Sequence, residues 1–413
     1  MLSLYIHIPF CDHKCKYCSF NIFPVNNINN SQKIIDNYIS SLQKEIDFYG
    51  IFFGNQEIKS IYFGGGTPNK IGSKNIIKII DIIQNKFNLE NLAELSFEFN
   101  PYPSDEIFEI IKTLNKKYKN VSRLRYSFGI QSLDNQILQE SGRESSFVGI
   151  VDFLRGLRNI KQENNVVNFD FIAFGKFKKD NEGNTILRND NTMDFFEEFI
   201  NSGFAESFSL YTLELFPGSL RYHQNKEMFA DDDIYEEFAI LKDMILDGGY
   251  SRYELSNFAK LGKSSIHNRV YREMENYIGL GVSGSSFLNS NIDGYSELIK
   301  KIKIKPEGNN KGVRFTNTQS ISDYINGDFI DPKNIQVLDN KDYLIEKFFL
   351  NLRTDQGIKN IDEFKSVLVP HYQSLIEQFH KSGFCTIDKK KIKLSDQGMD
   401  VFNSIVTDLL EEI

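Results

Sequence analysis

Six short runs of β-branched and aromatic residues, separated by stretches of helical periodicity, constrain the fold of this chain more than any other feature. The runs are Leu2–His7, Ser60–Phe63, Leu95–Phe99, Arg123–Ile130, Val166–Phe174 and Ser207–Leu213. Helices are expected between them over Ser31–Tyr49, Ser73–Phe87, Ser104–Tyr118, Phe147–Gln162 and Thr192–Asn201, several opening on a Ser or Thr able to cap the first turn. Ile76, Ile79, Ile80 and Ile83 recur at i, i+3, i+4 and i+7, a stripe that must face a sheet. Repeated strand–helix units imply parallel strands joined by right-handed crossovers. Six units suit an α/β fold built as an open, partial TIM-like (β/α)6 barrel better than a closed eight-fold one.

The remainder reads differently. Lys176–Asn191 has no periodicity and is expected as a long loop after the fifth strand. Asn289–Ser320, rich in Lys, Gly and Asn, reads as a connector. Beyond it, helices over Tyr343–Leu352, Ile361–Leu368 and Tyr372–Ser382 precede a hairpin of Cys385–Ile387 and Lys391–Leu394, and a last helix over Asp396–Leu410. That order suggests a small α+β, winged-helix-like module. The expected division is therefore a core with its extension (1–290), a connector (291–335) and a C-terminal domain (336–413).

Charge narrows the partners. Lys and Arg number 48 against 56 Asp and Glu, a net charge of −8 with no basic stripe, so the footprint of a nucleic-acid binder is missing even from the winged module. No apolar run approaches the roughly 18–20 residues of a membrane span. The N-terminus lacks a basic segment and a cleavage site, so a cytoplasmic protein is expected. Trp is absent while Asn, Ile, Lys and Phe abound, a habit of composition rather than of function.

Four cysteines rule out a disulfide scaffold, yet Cys11, Cys15 and Cys18 fall within eight residues. Cys385 stands apart and reads as a small buried hydrophobe. Three thiolates on a loop directly after the first strand can grip one compact metal centre. A tetrahedral zinc site would need a fourth ligand, and only His13 is near. A four-iron cubane held by three cysteines keeps one iron open, which is a reactive position. The C-x3-C-x2-C spacing resembles the signature of radical S-adenosylmethionine (SAM) enzymes. The resemblance implies a [4Fe–4S] cluster whose open iron is chelated by SAM, and one-electron cleavage of SAM to a 5′-deoxyadenosyl radical.

Other strand ends fit this picture. Gly64-Gly65-Gly66-Thr67 follows the second strand, and three glycines allow close backbone approach with N–H groups left free for a polar ligand. Glu98, Gln131 and Asp170 lie late on strands otherwise built of large apolar residues, where a carboxylate needs a partner. Barrels of this kind place their sites at the C-terminal ends of strands, so one shared site is expected.

A narrower resemblance covers nearly the whole chain: the oxygen-independent coproporphyrinogen oxidase (HemN) superfamily and, within it, the HemW-type heme chaperones. It rests on Tyr5-Ile-His-Ile-Pro-Phe-Cys11, Gly64–Pro68, Glu98–Pro101, Ser127–Ser132, Ser141–Arg143, Ser209–Tyr211, Tyr253–Asn257, His267-Asn268, Gly279–Gly281, Asn351–Arg353 and Leu394–Gly398. Carried over by position, Tyr5, Tyr17, Gly65, Gly66, Thr67, Glu98, Gln131, Arg143 and Asp170 are implied SAM contacts. Arg143 suits the SAM carboxylate by charge. Two features favour the chaperone type over the oxidase. Phe20 stands where the oxidase pattern has a fourth cysteine, and only ten residues precede Cys11. The chaperones' H-N-x-x-Y motif appears as His267-Asn268-Arg269-Val270-Tyr271, making His267 and Tyr271 implied heme contacts. Three places depart from the family. Arg272 replaces a Trp, Gly281-Val-Ser-Gly-Ser285 lacks the histidine of a G-x-G-A-H turn, and Lys176-Phe177 replaces Leu-Pro.

The function expected from the resemblance is heme binding and transfer to respiratory hemoproteins, with an electron donor such as flavodoxin. The rivals are oxidative decarboxylation of coproporphyrinogen III, another radical reaction on a tetrapyrrole, and a zinc-stabilised binding module.

Overall fold

The computed structural model describes residues 1–26, 30–175, 177–179, 185–187, 192–214, 216–217, 219–223, 231–305 and 309–410. Six strands, β1 (Leu2–Ile8), β2 (Ile58–Gly65), β3 (Glu94–Phe99), β4 (Leu124–Gln131), β5 (Asn165–Ala173) and β6 (Ser207–Thr212), pair in parallel in chain order. Helices α1 (Ser31–Phe53), α2 (Gly72–Gln84), α3 (Ser104–Lys117), α4 (Phe147–Ile160) and α5 (Thr192–Asn201) form the crossovers. Each overlaps the stretch expected from its periodicity.

Two-residue alternation gives this sheet two chemically opposite faces. Leu2, Leu4, Ile6 and Ile8 of β1 join Ile61, Phe63, Leu95, Phe97, Phe99, Tyr126, Phe128, Phe169, Phe208 and the α2 isoleucines in one core between sheet and helices. Burying those four isoleucines alone contributes roughly 6–12 kcal/mol as an upper bound. The opposite residues turn into the barrel and are polar. Ser60 donates to Ser3 (2.9 Å), Asn168 donates to Ser127 and Ser209 (2.8 and 3.0 Å), and Ser209 donates to Asn257 (3.1 Å). This lumen is wet chemistry enclosed by an apolar wall.

The sheet runs further than six strands. After helix α6 (Asp231–Asp247), β7 (Ser251–Glu254) and β8 (Asn257–Ala259) extend it antiparallel beside β6. At the other edge β9 (Tyr277–Leu280) pairs parallel with β1, followed antiparallel by β10 (Ser285–Asn289), β11 (Gly312–Asn317) and β12 (Ile330–Leu338), twelve strands in all. The stretch read as a connector thus carries a helix, Tyr295–Lys301, and two sheet strands. The edge strand β12 is largely solvated and polar and holds Pro332, which edge strands tolerate; that blurs its periodicity. Within the expected loop 176–191, Phe177–Lys179 and Thr185–Leu187 pair as an antiparallel hairpin; the rest, Lys176 included, lies outside the described residues.

Between β8 and β9 the short helix α7 (Ile266–Arg272) plugs the lumen. Ser265 caps it, and its first N–H groups (Ile266, His267) donate to the buried Glu94 carboxylate at 3.0 and 3.1 Å. The C-terminal part, α8 (Asn340–Leu352), α9 (Tyr372–Lys381), the hairpin β13 (Cys385–Asp388) with β14 (Lys391–Leu394), α10 (Asp396–Asp400) and α11 (Phe402–Leu409), surrounds a second core that includes Cys385. It docks on the barrel through charge. Lys242 and Arg252, both nearly buried, meet Asp396 and Asp400 at 2.6–2.9 Å, and Arg269 grips Asp355 in a two-bond fork.

Candidate functional site

At the end of β1 the chain turns through Pro9 into the loop that carries all three clustered cysteines. Phe10–Cys11 pairs with Phe23–Pro24, and Phe23 N–H and Val25 N–H close the loop on the carbonyls of Pro9 and Cys11 at 2.7 and 2.8 Å. Cys18 N–H donates to Cys15 O (3.1 Å), and Lys16 N–H ties the loop to Ser141 O (3.1 Å). Burial pushes the Cys11 thiol up to about 11, partly opposed by the Thr67 hydroxyl 3.2 Å from its sulfur. A buried thiol held this way gains from a metal centre that displaces its proton.

Among the described residues no three His, Cys, Asp or Glu side chains are gathered closely enough to hold a metal ion. His13, the nearest fourth donor, instead pairs with Glu144 at 3.5 Å.

The glycine turn holds the cysteine loop by close packing. A Cβ on Gly66 would lie 2.8 Å from the Pro9 and Phe10 backbone, and Gly65 has φ +110° against the His7 ring. The expectation that these N–H groups stand free is corrected. Gly65 N–H donates to Glu98 Oε2 (3.1 Å), Gly66 N–H to Ile8 O and Thr67 N–H to Phe10 O (both 2.8 Å). Backbone that approaches this closely spends its donors on its neighbour.

Register aligns the remaining strand-end residues. Glu98 sits beside Ser127 and Asn168, and Asp170 one step further beside Gly129 and Ser209. Glu98 accepts from Tyr62 OH (2.7 Å); burial raises its carboxyl to about 7 despite that bond. Asp170 accepts from Ser127 (3.0 Å) and Asn168 (2.8 Å), and burial raises it too. A register shift between Gly129 and Gln131 puts Gln131 at φ +69°, a strained conformation for a non-glycine residue at the mouth of the barrel. Arg143 donates to Asn100 Oδ1 (3.1 Å) and Gly129 O, beside Tyr17 and Cys15. Tyr5 OH donates to the neutral His7 ring at 3.2 Å; burial lowers that imidazole to about 4.

Cys11, Cys15, Cys18, Tyr5, Tyr17, Gly65, Gly66, Thr67, Glu98, Gln131, Arg143, Asp170 and Tyr271 all line one cleft of about 630 Å³. His267 does not. It is fully buried on α7, stacked on Tyr62 with centroids 5.1 Å apart. Because Ser60 Oγ spends its proton on Ser3, it accepts from Nδ1 (2.8 Å), while Nε2 takes the Tyr271 hydroxyl proton (2.8 Å). Burial lowers this imidazole to about 3, so it stays neutral with both nitrogens spent. His267, expected as a heme contact, thus lies behind the cleft wall and braces Tyr271, which alone of the pair lines the cleft.

Several lining residues escaped sequence reasoning: Tyr62, which binds Glu98; Arg125, fully buried with its Nε unpartnered; and Glu254 with Arg272 and Arg353. Strict alternation on β4 was the available signal, since Arg125 shares the inward face of Ser127.

Comparisons with known proteins agree with this geometry. The family model of the radical SAM superfamily matches residues 5–188, and that of the HemN C-terminal domain matches residues 338–401. The chain is thus similar to the radical SAM superfamily and, within it, to the HemN family, close to its HemW members. It is 26% identical to the heme chaperone HemW of Lactococcus lactis (98% of this chain, 96% of the other). It is 26% identical to that of Bacillus subtilis over the full length of both. A mouse mitochondrial protein, radical S-adenosyl methionine domain-containing protein 1, is 23% identical over all of this chain and 88% of its own. Coproporphyrinogen III oxidase (HemN) from Escherichia coli shares the fold at TM-score 0.74 and 18% identity, covering 100% of this chain and 90% of that one. Likeness to the radical SAM superfamily implies a [4Fe–4S] cluster and SAM. Among the described residues no helix is long and apolar enough to cross a membrane.

Proposed function

We propose that this protein is a heme chaperone of the HemW type, which holds a [4Fe–4S] cluster and SAM at the barrel mouth, binds heme in the same cleft and passes it to respiratory hemoproteins. The observation that carries the reading is one continuous cleft that has the three cysteines on one wall and Arg353 of the C-terminal part on another. The near-full-length likeness to HemW relatives supports it.

Cys11, Cys15 and Cys18 would ligate three irons of the cluster, which when bound supplies an open iron and a single electron. Glu98 and Asp170 offer buried acceptors for the ammonium and ribose hydroxyls of SAM, and Arg143 offers a guanidinium for its carboxylate. Tyr5, Gly65, Gly66, Thr67 and Gln131 shape the same end, and Tyr17 presents a ring edge-on to Phe174. At the outer rim Phe20, Tyr211 and Phe216 are exposed although large and apolar, a surface suited to a flat macrocycle. Tyr271 faces that space; His267 acts through it. An electron donor such as flavodoxin would reduce the cluster.

Anaerobic heme titration of the reconstituted protein tests the reading. A saturable Soret shift at one heme per chain is expected, and an unchanged spectrum would remove the chaperone. Conversion of coproporphyrinogen III to protoporphyrinogen with SAM and reductant would replace it by the oxidase reading.

A further inference from the structure

Far from the cysteines, one wall of the cleft sets two guanidiniums against a single carboxylate among the described residues. Glu254, on edge strand β7, is buried and shared by two guanidiniums: its Oε1 lies 3.0 Å from Arg272 and 2.7 Å from Arg353. Its Oε2 is already taken by Asn257 Nδ2 (2.8 Å) and Ser256 N–H (3.2 Å). Burial would raise this carboxyl, but the two arginines and the two hydrogen bonds outweigh it and hold it below its usual value, so the wall is one carboxylate against two cations. Each guanidinium has five donors. The Nε of both is buried without a partner, and among the described residues their only carboxylate is the one they share. Arg353 is further fixed between the Phe349 and Phe402 rings, 5.7 and 5.8 Å from their centroids. Three separate segments are needed to bring this about, the edge strand, the end of the plug α7 and the end of α8. Arg272, Arg353, Asn268 and Tyr271 border the same space.

Resting on the tetrapyrrole reading above, we infer that Arg272 and Arg353 form a carboxylate-binding end of the cleft, which seats a propionate of the macrocycle and turns its opposite edge toward the cysteine loop. Guanidinium forks match carboxylates in two parallel bonds, and a partly desolvated pair lacking a second counter-ion has the strongest reason to accept one. The alternative is that the second arginine serves only to dock the C-terminal part on β7.

The two are separated by titrating the full-length reconstituted protein with heme and with heme dimethyl ester, which keeps the macrocycle and removes both carboxylates. The wild type is expected to bind the acid at least about tenfold more tightly than the ester. Arg272→Gln should weaken acid binding by about that factor, leave ester binding unchanged and so erase the preference; Arg353→Lys should act in the same direction. Equal wild-type affinity for both pigments overturns the arginine assignment without using any variant. An Arg272→Gln loss that is equal for acid and ester overturns it as well. A Soret band that moves with neither pigment removes the tetrapyrrole reading itself, and the inference with it.

Discussion

Gly66→Ala tests how the turn positions the cluster ligands. Gly66 does not have the positive φ of Gly65, so a methyl group there is a question of space alone. It would arrive 2.8 Å from Pro9 C, Pro9 O and Phe10 O, against an optimum of roughly 3.5–4.0 Å for such atoms. The backbone it meets is pinned on its far side by the bonds to Phe23 and Val25. The segment from Pro9 to Cys11 must therefore shift by about 1 Å or the methyl must be overpacked, at about 1–3 kcal/mol. Displacing a cluster ligand that far should lower iron retention against a chelator by about 10–100-fold, the scale seen when supporting residues of a metal site are changed. Gly72→Ala is the control. Its φ of +71° with ψ 163° suits only glycine, yet no atom lies within 4 Å, so it should lose a similar 1–3 kcal/mol with normal iron. Iron, sulfide and chelator half-life would be measured beside urea midpoints. A Gly66→Ala protein with wild-type iron retention, or a Gly72→Ala protein that loses iron equally, refutes the packing argument.

Cys15→Ala should be colourless after anaerobic reconstitution, where the wild type gains about four irons; retained iron would exclude this thiol as a ligand. Arg252→Met leaves Asp396 and Asp400 at the docking face with Lys242 as their remaining partner; a fully buried broken pair costs roughly 3–5 kcal/mol, and less than half that is expected because Lys242 still meets both aspartates and they are 35% exposed, read as a lower urea midpoint. Glu45 is fully buried under Tyr324, Asn317 and Gly281, and burial raises it to about 7. The folded state then holds a proton that the unfolded chain releases near 4.5, so stability falls as pH rises from 4.5 to 7, by about 3 kcal/mol. Glu98 slopes the same way, so the difference between wild type and Glu45→Gln isolates the effect; parallel profiles would show that Glu45 does not titrate there. His267→Ala should cost roughly 2–4 kcal/mol through its cavity and two lost bonds, yet still give a Soret shift; a variant of full stability whose shift is abolished would restore His267 as the ligand.

The chain itself fixes its six parallel strands and five crossover helices, because each repeats an apolar period that only one secondary structure can bury. The cysteine triplet is equally legible, since ligand spacing on one loop is local. Glu98, Gln131 and Asp170 read as a shared site because they all fall at strand ends of one barrel. What lies across the molecule was not legible. His267 stands in a motif suggesting a ligand, but whether its nitrogens are free depends on Ser60 and Tyr271 and on α7 entering the lumen. The glycines announce close approach, but only the fold names Pro9 and Phe10 as what they approach and spends their N–H groups there. The charged wall joins Glu254, Arg272 and Arg353, residues up to 99 positions apart, and exists only because the C-terminal part closes on the edge strand. Periodicity and spacing are written in neighbouring residues, whereas desolvation and hydrogen-bond exchange belong to partners that meet only once the chain has folded.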